Sequence, residues 1–356
     1  MQRTFNFKML TLAREARGLT QLELVEKVPN LNQGNYSKME KGLLTIPTET
    51  LKNIGLILDF PLSFFDKKEP VTEPGNHYFR KRATMPRKAQ TTLEARMKCI
   101  MIWVDALLED IDIPDCKFPA IKVGDENTPA VIARKIRQHL GVSSGPIDKL
   151  VKLVERNGVI VYFISDSNDK FDGMTLFTNS GQSIIFINDQ MPNDRKRFTL
   201  AHELGHLIMH LRFDLLDLPE KLIEEQANEF AGEFLLPYMD SRSDLMGLKF
   251  RELSTLKQYW KVSKAALIYT AHKRGFIDHS KYMSLQIELS RQGERKKETL
   301  DVDIDEAVIV KRAADSFIND LGYTASEIQL VLGINETDLY MTLKQNKPNN
   351  KLKLVI

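Results

Sequence analysis

A His-Glu-x-x-His motif inside an apolar run of helical spacing most constrains how this chain can fold. The motif occupies residues 202–206, and leucines around it recur every three or four positions, which predicts a helix with a buried face. His202 and His206 are four residues apart, so a helix places their rings one above the other, where both can bind one metal ion. Glu203 could then act as a general base toward a water molecule at that metal.

A catalytic zinc site usually has three protein ligands, so a third ligand must come from outside this motif. In residues 223–237, an apolar stripe runs through Ala227 and Ala231, and at about 100° per residue Glu224 falls within that stripe. A carboxylate on a buried face needs a partner such as a metal ion, which favours Glu224 as the third ligand. The opposite face is predicted to carry solvated carboxylates at Glu225, Glu229 and Glu233.

Asn228 lies one turn after Glu224 on the same side of this second helix. Its side chain could hold a ligating histidine by the ring nitrogen that does not face the metal. The helix ends at Leu235-Leu236-Pro237.

These two motifs together resemble the ImmA/IrrE family of metallo-endopeptidases. The resemblance implies a site similar to that of thermolysin-type peptidases, with His202, His206 and Glu224 as ligands of Zn²⁺ and Glu203 as the general base. It also implies a protein substrate that is itself a transcriptional repressor, cleaved under stress or on induction of a mobile element so that silenced genes are released. The competing hypothesis is a DNA-binding transcriptional regulator whose metal site is structural or vestigial. An intact Glu203 argues against that alternative, because a structural site needs no base.

The N-terminal part carries an independent pattern of short helices. One helix is predicted to end at Gly18, a second begins after a capping Thr20, and further helices follow at residues 32–42 and 47–58. Residues 6–66 resemble the XRE-type helix-turn-helix of phage repressors. The resemblance implies that the third helix enters the major groove of operator DNA, with four residues presented to it: Gln33, Asn35, Tyr36 and Lys38.

Charge in the N-terminal module leaves its partner open. Residues 1–66 contain eight Lys or Arg and seven Asp or Glu, whereas DNA affinity depends largely on neutralising phosphates. The module could therefore bind an operator, or it could dimerise with the target repressor and deliver it to the active site. A homodimer of this chain is a further expectation.

The whole chain is predicted to be an α+β protein with several domains. We expect a helix-turn-helix domain at residues 1–68, a linker and connecting helix at 69–120, a zincin-like zinc peptidase core at 121–240 and a helical C-terminal region at 241–356. The net charge of +2 indicates no general attraction to nucleic acid or to membranes. No apolar run reaches the roughly 20 residues that a membrane span needs, and Cys99 and Cys116 are expected to stay reduced in the cytoplasm.

Three short strands are predicted directly before the metal helix, at residues 158–164, 173–178 and 183–188. The edge of such a sheet could hold an extended substrate by main-chain hydrogen bonds, although the sequence does not show which strand forms the edge. Residues 91–112 and 128–157 are predicted to be helical. The group that would stabilise the oxyanion stays open among His210, Tyr238, His272 and His279.

Overall fold

The computed structural model describes residues 5–68, 85–109, 111, 113–142, 144–165, 170–213, 218–295, 297–335 and 337–339. These ranges contain many helices and one three-stranded sheet, so the protein has the predicted α+β composition. None of the helices in the described ranges is long and apolar enough to cross a membrane.

The helices and strands follow one another along the chain in an order that separates an all-helical start from the sheet. The first part contains α1 (Lys8–Ala16), α2 (Gln21–Val25), α3 (Gln33–Glu40), α4 (Thr48–Leu58), a 3-10 helix at Leu62–Asp66 and α5 (Arg87–Leu108). The middle contains α6 (Pro129–His139), α7 (Leu150–Arg156), β1 (Val159–Ile164), β2 (Gly173–Phe177), β3 (Ser183–Asn188), α8 (Asn193–Met209) and α9 (Glu220–Leu235). The remainder contains α10 (Tyr238–Leu245), a 3-10 helix at Phe250–Glu252, α11 (Leu253–Trp260), α12 (Lys264–Lys273), α13 (His279–Arg291), α14 (Ile309–Asn319) and α15 (Ala325–Leu332).

Contacts divide the chain into two compact units. The first unit comprises residues 1–113, 177–182 and 308–356, and the second comprises residues 114–176 and 183–307. This division is coarser than the four predicted segments, which stay a prediction. It also groups the last helices, α14 and α15, with the N-terminal unit rather than with the helices that precede them.

The N-terminal unit has its own apolar core. Side chains from α1, α2, α3 and α4 pack together with Phe64 and Phe65 and with one face of α5. Capping supports the predicted helix starts, since the Thr20 hydroxyl accepts a hydrogen bond from the Glu23 backbone N–H and the Asn32 side chain accepts one from Asn35. The first four helices therefore begin and end within a residue or two of the predicted positions.

The second unit is built around the sheet, whose strand order is β1-β3-β2. Strands β1 and β3 run parallel, with Val159 opposite Ser183. Every residue of β3 is buried, as expected for the central strand, so β1 and β2 form the two ends of the strand order. Helix α8 packs on β3, and α9 packs on α8 and α6.

The structure agrees with the three predicted strands and differs from one predicted helix. The three strands lie within a residue of their predicted bounds. The helix predicted over residues 128–157 is instead two helices, α6 and α7, because the connecting segment 140–149 contains Gly141, Gly145 and Pro146, which interrupt a helix.

Candidate metal centre

Helix α8 is held at its N-terminal half by a buried arginine. Arg197 is fully buried and donates hydrogen bonds to the backbone carbonyl oxygens of Ile147 and Lys261. Burial lowers the pKa of its guanidinium to about 10, although nearby carboxylates partly oppose that shift. Arg197 therefore ties α8 to two other segments of the unit one turn before the histidines begin.

Helices α8 and α9 approach closely because α8 carries a glycine at the contact. A Cβ atom added to Gly205 would lie 2.9 Å from a ring carbon of Phe230, which is closer than such contacts allow. The glycine inside the His-Glu-x-x-His motif thus lets α9 approach the histidine-bearing face of α8. This approach brings side chains of the two helices together over the next turns.

Three potential ligands converge between the two helices. The Nε2 atoms of His202 and His206 are 3.0 Å apart, and the Glu224 carboxylate oxygens lie 3.6 Å from the first and 3.0 Å from the second. The ligand atoms of the three residues all lie within 4.8 Å of one another. Two imidazole nitrogens and one carboxylate are a donor set used by catalytic zinc sites, so these residues fit a divalent metal.

The cluster is buried on one side and open on the other. His206 is only 1% exposed, whereas the Glu224 side chain keeps 26% of its exposure and His202 keeps 14%. On the open side, the Nδ1 atom of His202 lies 3.0 Å from Oδ1 of Asn228. The cluster is therefore accessible to solvent from the side of His202 and Glu224.

Glu203 is contacted by the sheet. The Thr175 hydroxyl on β2 donates a hydrogen bond of 2.8 Å to the Glu203 carboxylate, and both side chains are buried. Gly173 permits this approach, because a Cβ atom there would lie 2.5 Å from a methyl carbon of Thr199 on α8. The carboxylate next to the first histidine is thus oriented by the end strand of the sheet.

The other carboxylates of α9 differ in their surroundings. Glu225 is exposed and pairs loosely with Lys221, as expected for a solvated face. The prediction of a solvated Glu233 was wrong, because that side chain is buried and accepts hydrogen bonds from Arg134 and Arg274. Those two arginines come from distant segments of the chain, so the helical phase of α9 alone could not predict the pairing.

The four candidates for oxyanion stabilisation occupy different places. Tyr238 begins α10, after α9 has ended at Leu235, about 16 Å along the helix axis from Glu224 at 1.5 Å per residue. His272 and His279 pack around Tyr282. His210 is next to His206, but on its buried side, where their Nδ1 atoms are 3.0 Å apart. Among these contacts, the one between His210 and His206 involves a residue of the cluster, and it lies on the buried side.

Helix α3 presents three of the four residues predicted to contact DNA. Gln33, Asn35 and Lys38 are exposed. The prediction for Tyr36 was wrong, because its side chain is 0% exposed and belongs to the core of the N-terminal unit. In the short polar sequence of α3, Met39 three residues later is the sequence signal that places Tyr36 on a buried face.

Three residues around the cluster were not assigned these contacts from the sequence. Thr175 contacts Glu203, His210 contacts His206, and Gln226 in turn contacts His210. Only His210 carried a signal, since it extends the histidine stripe by one further turn of α8. The contacts of Thr175 and Gln226 depend on how the sheet and α9 pack against α8, so the sequence alone does not predict them.

Comparison with known proteins agrees with this local geometry. Residues 154–272 match the family model of the IrrE N-terminal-like domain, a peptidase family. The radiation response metalloprotease IrrE of Deinococcus deserti is 32% identical over 124 residues, covering 29% of this chain and 44% of that protein. The chain thus spans less than half the length of this relative.

A solved structure of a Mycobacterium tuberculosis transcriptional regulator was also found. It shares 19% sequence identity with this chain at a TM-score of 0.31, covering 40% of this chain and 45% of the regulator.

The match to the IrrE N-terminal-like family model runs from α7 to α12 and contains both motif helices. Residues 154–272 are thus similar to the IrrE N-terminal-like domain, in agreement with the resemblance of the two motifs to the ImmA/IrrE family.

Proposed function

We propose that this chain is a zinc-dependent endopeptidase whose substrate is a protein, specifically a transcriptional repressor. The observation that carries the proposal is the convergence of His202, His206 and Glu224 beside a buried, oriented Glu203. A site used only for structure would need the three ligands without a carboxylate positioned next to them. The family of the matched domain supports the same chemistry.

His202, His206 and Glu224 would hold the metal. Zinc in this position supplies Lewis-acid chemistry, which activates water and polarises a carbonyl group. Glu203 takes a proton from the attacking water as the oxygen of that water adds to the scissile carbonyl carbon. When the C–N bond breaks, Glu203 returns this proton to the leaving amine nitrogen. Thr175 orients Glu203 by donating to one oxygen of its carboxylate.

Strand β2 suggests how an extended substrate would lie. It occupies one end of the strand order and carries Thr175, so its main chain passes directly beside the base. A substrate segment paired with the edge of β2 by main-chain hydrogen bonds would have its scissile bond near the cluster. This arrangement accepts an extended protein segment rather than a small molecule.

The N-terminal module supports a repressor as the substrate. By its resemblance to phage repressors, α3 would enter the major groove of an operator through Gln33, Asn35 and Lys38. A module of the same class as its target could equally dimerise with that target and deliver it to the peptidase site. Both roles would place the enzyme beside the genes that its substrate silences, inside the cytoplasm.

The function is tested by removing the base while keeping the metal. The parent chain, Glu203→Gln and the exposed control Glu225→Gln are each purified, loaded with zinc and incubated with the repressor encoded beside the gene. We expect cleavage by the parent and the control but a loss of about 10²–10⁴-fold in Glu203→Gln, with equal zinc content in all three. Cleavage by Glu203→Gln at the parental rate, or no cleavage by the zinc-loaded parent, would contradict the proposal.

A further inference from the structure

A third histidine extends the chain of imidazole contacts away from the metal cluster. His210 follows His206 by one turn and is 2% exposed. Its Nδ1 atom lies 3.0 Å from Nδ1 of His206, and its Nε2 atom lies 2.9 Å from Oε1 of Gln226 on α9. Both distances are those of hydrogen bonds, so the two rings and the amide form one continuous line.

The order of protons along this line can be worked out from the hydrogen-bonding capacity of each atom. The Gln226 amide is turned so that Oε1 faces Nε2 of His210. In this orientation the oxygen can only accept, so Nε2 of His210 carries a proton and donates to it. In a neutral His210, Nδ1 is then an acceptor, and Nδ1 of His206 must donate to it. This leaves Nε2 of His206 with a lone pair, and that atom lies in the cluster with His202 and Glu224.

The opposite proton order would block the cluster. If Nδ1 of His210 donated to Nδ1 of His206, a neutral His206 would carry its proton on Nε2, which could not bind a metal. A side chain that can only donate to His210 at the position of Gln226 would favour that wrong order. With Oε1 facing His210, Gln226 therefore favours the arrangement in which His206 can act as a ligand.

We propose that His210 and Gln226 are positioning residues that hold His206 in its Nδ1-protonated tautomer, so that Nε2 binds the metal. The inference rests on the proposed zinc site and deepens it. Metal-bound histidines usually donate their other ring proton to a carboxylate, a backbone carbonyl or water. Here a neutral imidazole takes that place for His206, while the Asn228 amide is 3.0 Å from the corresponding nitrogen of His202.

Two substitutions at position 210 separate this role from simple packing. His210→Asn keeps an acceptor near the position of Nδ1, whereas His210→Leu has a similar shape and no acceptor. We expect zinc affinity, measured by competition with a chelator, to fall about 10–100-fold in His210→Leu, as for other partners of ligating histidines. His210→Asn should stay near the parent, as should the control His139→Leu, whose histidine is exposed on α6.

Gln226 provides a second test that does not depend on the folding of the buried variants. Its side chain is only half-buried, so Gln226→Leu and Gln226→Glu should both fold. We expect Gln226→Glu, which keeps an acceptor, to bind zinc at least as tightly as the parent, and Gln226→Leu to bind it more weakly. Nitrogen-15 NMR of the zinc-loaded parent should show His210 protonated at Nε2 and His206 protonated at Nδ1.

The outcomes distinguish this inference from the proposed function. The positioning role of His210 and Gln226 would be overturned, with the zinc site left in place, by either of two results. One is equal zinc affinity in the parent, His210→Leu and Gln226→Leu. The other is a His210 that is protonated at Nδ1 and not at Nε2. A parent chain that binds no zinc would overturn both proposals. Reduced zinc affinity in the two leucine variants, together with parental zinc affinity in His210→Asn, would establish the positioning role even if no protein substrate had been found.

Discussion

Helices α8 and α3 both carry polar residues predicted to act, but the two helices place those residues in opposite surroundings. On α8, the polar side chains face inward and contact one another, α9 or the sheet. On α3, Gln33, Asn35 and Lys38 face outward. The chemistry of the first helix is therefore defined by contacts within the chain, whereas that of the second depends on a partner.

The two helices therefore differ in whether their chemistry can be inferred from contacts within the chain. A metal centre is assembled from distances between groups of the same molecule, so three converging ligand atoms already limit the chemistry. A recognition helix is defined by what it binds, and an exposed glutamine can face water as easily as a base edge. Substitutions on α8 and its partners should therefore have larger effects than substitutions on the exposed face of α3.

The largest effect should follow removal of the carboxylate ligand. We expect Glu224→Ala to lose stoichiometric zinc, measured by atomic absorption after dialysis against a weak chelator, because the site loses one of three donors. Glu225→Ala is the matched control, since Glu225 is exposed one residue away. Equal zinc content in the two variants would show that the helical phase of α9 does not select the ligand.

The sequence alone singled out His202, His206 and Glu224, which the structure brings within 4.8 Å of one another, because both helices show clear apolar periodicity. The spacing of His202 and His206 and the position of Glu224 within an apolar stripe need only the geometry of a single helix. The contacts of Thr175, His210 and Gln226 need more, since they depend on how closely α9 and β2 approach α8. That approach is set by Gly205 and Gly173, and a glycine in a sequence does not say what packs against it.

The next effect concerns the fold of the N-terminal unit. We expect Tyr36→Ala to lower the free energy of unfolding of this unit by about 3–5 kcal/mol, as for other large aromatic side chains removed from a core. Asn35→Ala, at the exposed neighbouring position, should change it by less than about 0.5 kcal/mol. Hydrogen exchange of the amides in α1 and α3 of the whole chain measures both. A small effect of Tyr36→Ala on the free energy of unfolding would contradict the burial of Tyr36 in the core.

Burial of Tyr36 and Glu233 shows where sequence patterns stop being informative. Helix α3 has only eight residues and few apolar ones, so its own pattern marks the inner face only through Tyr36 and Met39, and the surrounding helices complete it. Glu233 is drawn inward by Arg134 and Arg274, which lie 99 and 41 residues away along the chain. In both places a partner distant in sequence decides the burial.

Recognition by α3 should give an effect of intermediate size. If the module binds an operator, Gln33→Ala and Asn35→Ala should each relax base preference, at about 1–3 kcal/mol per lost bidentate contact. Lys38→Ala should instead weaken binding to all sequences and lower the salt slope by about one. A genomic pull-down with the whole chain, followed by gel shifts at two salt concentrations, measures these effects. Recovery of a repressor protein without any preferred DNA would contradict operator binding and support delivery of the substrate.

The smallest effect should come from a polar residue of the same module that serves the fold. The Thr20 hydroxyl caps α2, so Thr20→Ala should destabilise the N-terminal unit by about 1 kcal/mol, while Thr48→Ala, which removes no capping bond, should have almost no effect. The backbone N–H of Thr20 donates to the Glu23 carboxylate, and this bond, with the nearby Lys88, lowers the pKa of Glu23 to about 2.

The lowered pKa gives this last prediction a pH dependence of known sign. Because the folded state holds the Glu23 carboxylate ionised, the stabilisation by this carboxylate is complete above the ordinary pKa of about 4.5 and is lost as the pH falls toward 2. Protection of the α2 amides in the parent should therefore decrease over this range, and it should decrease less in Glu23→Gln. An identical pH dependence in both would mean that the capping box does not hold α2, and that Thr20 and Glu23 are as available for recognition as Gln33 and Lys38.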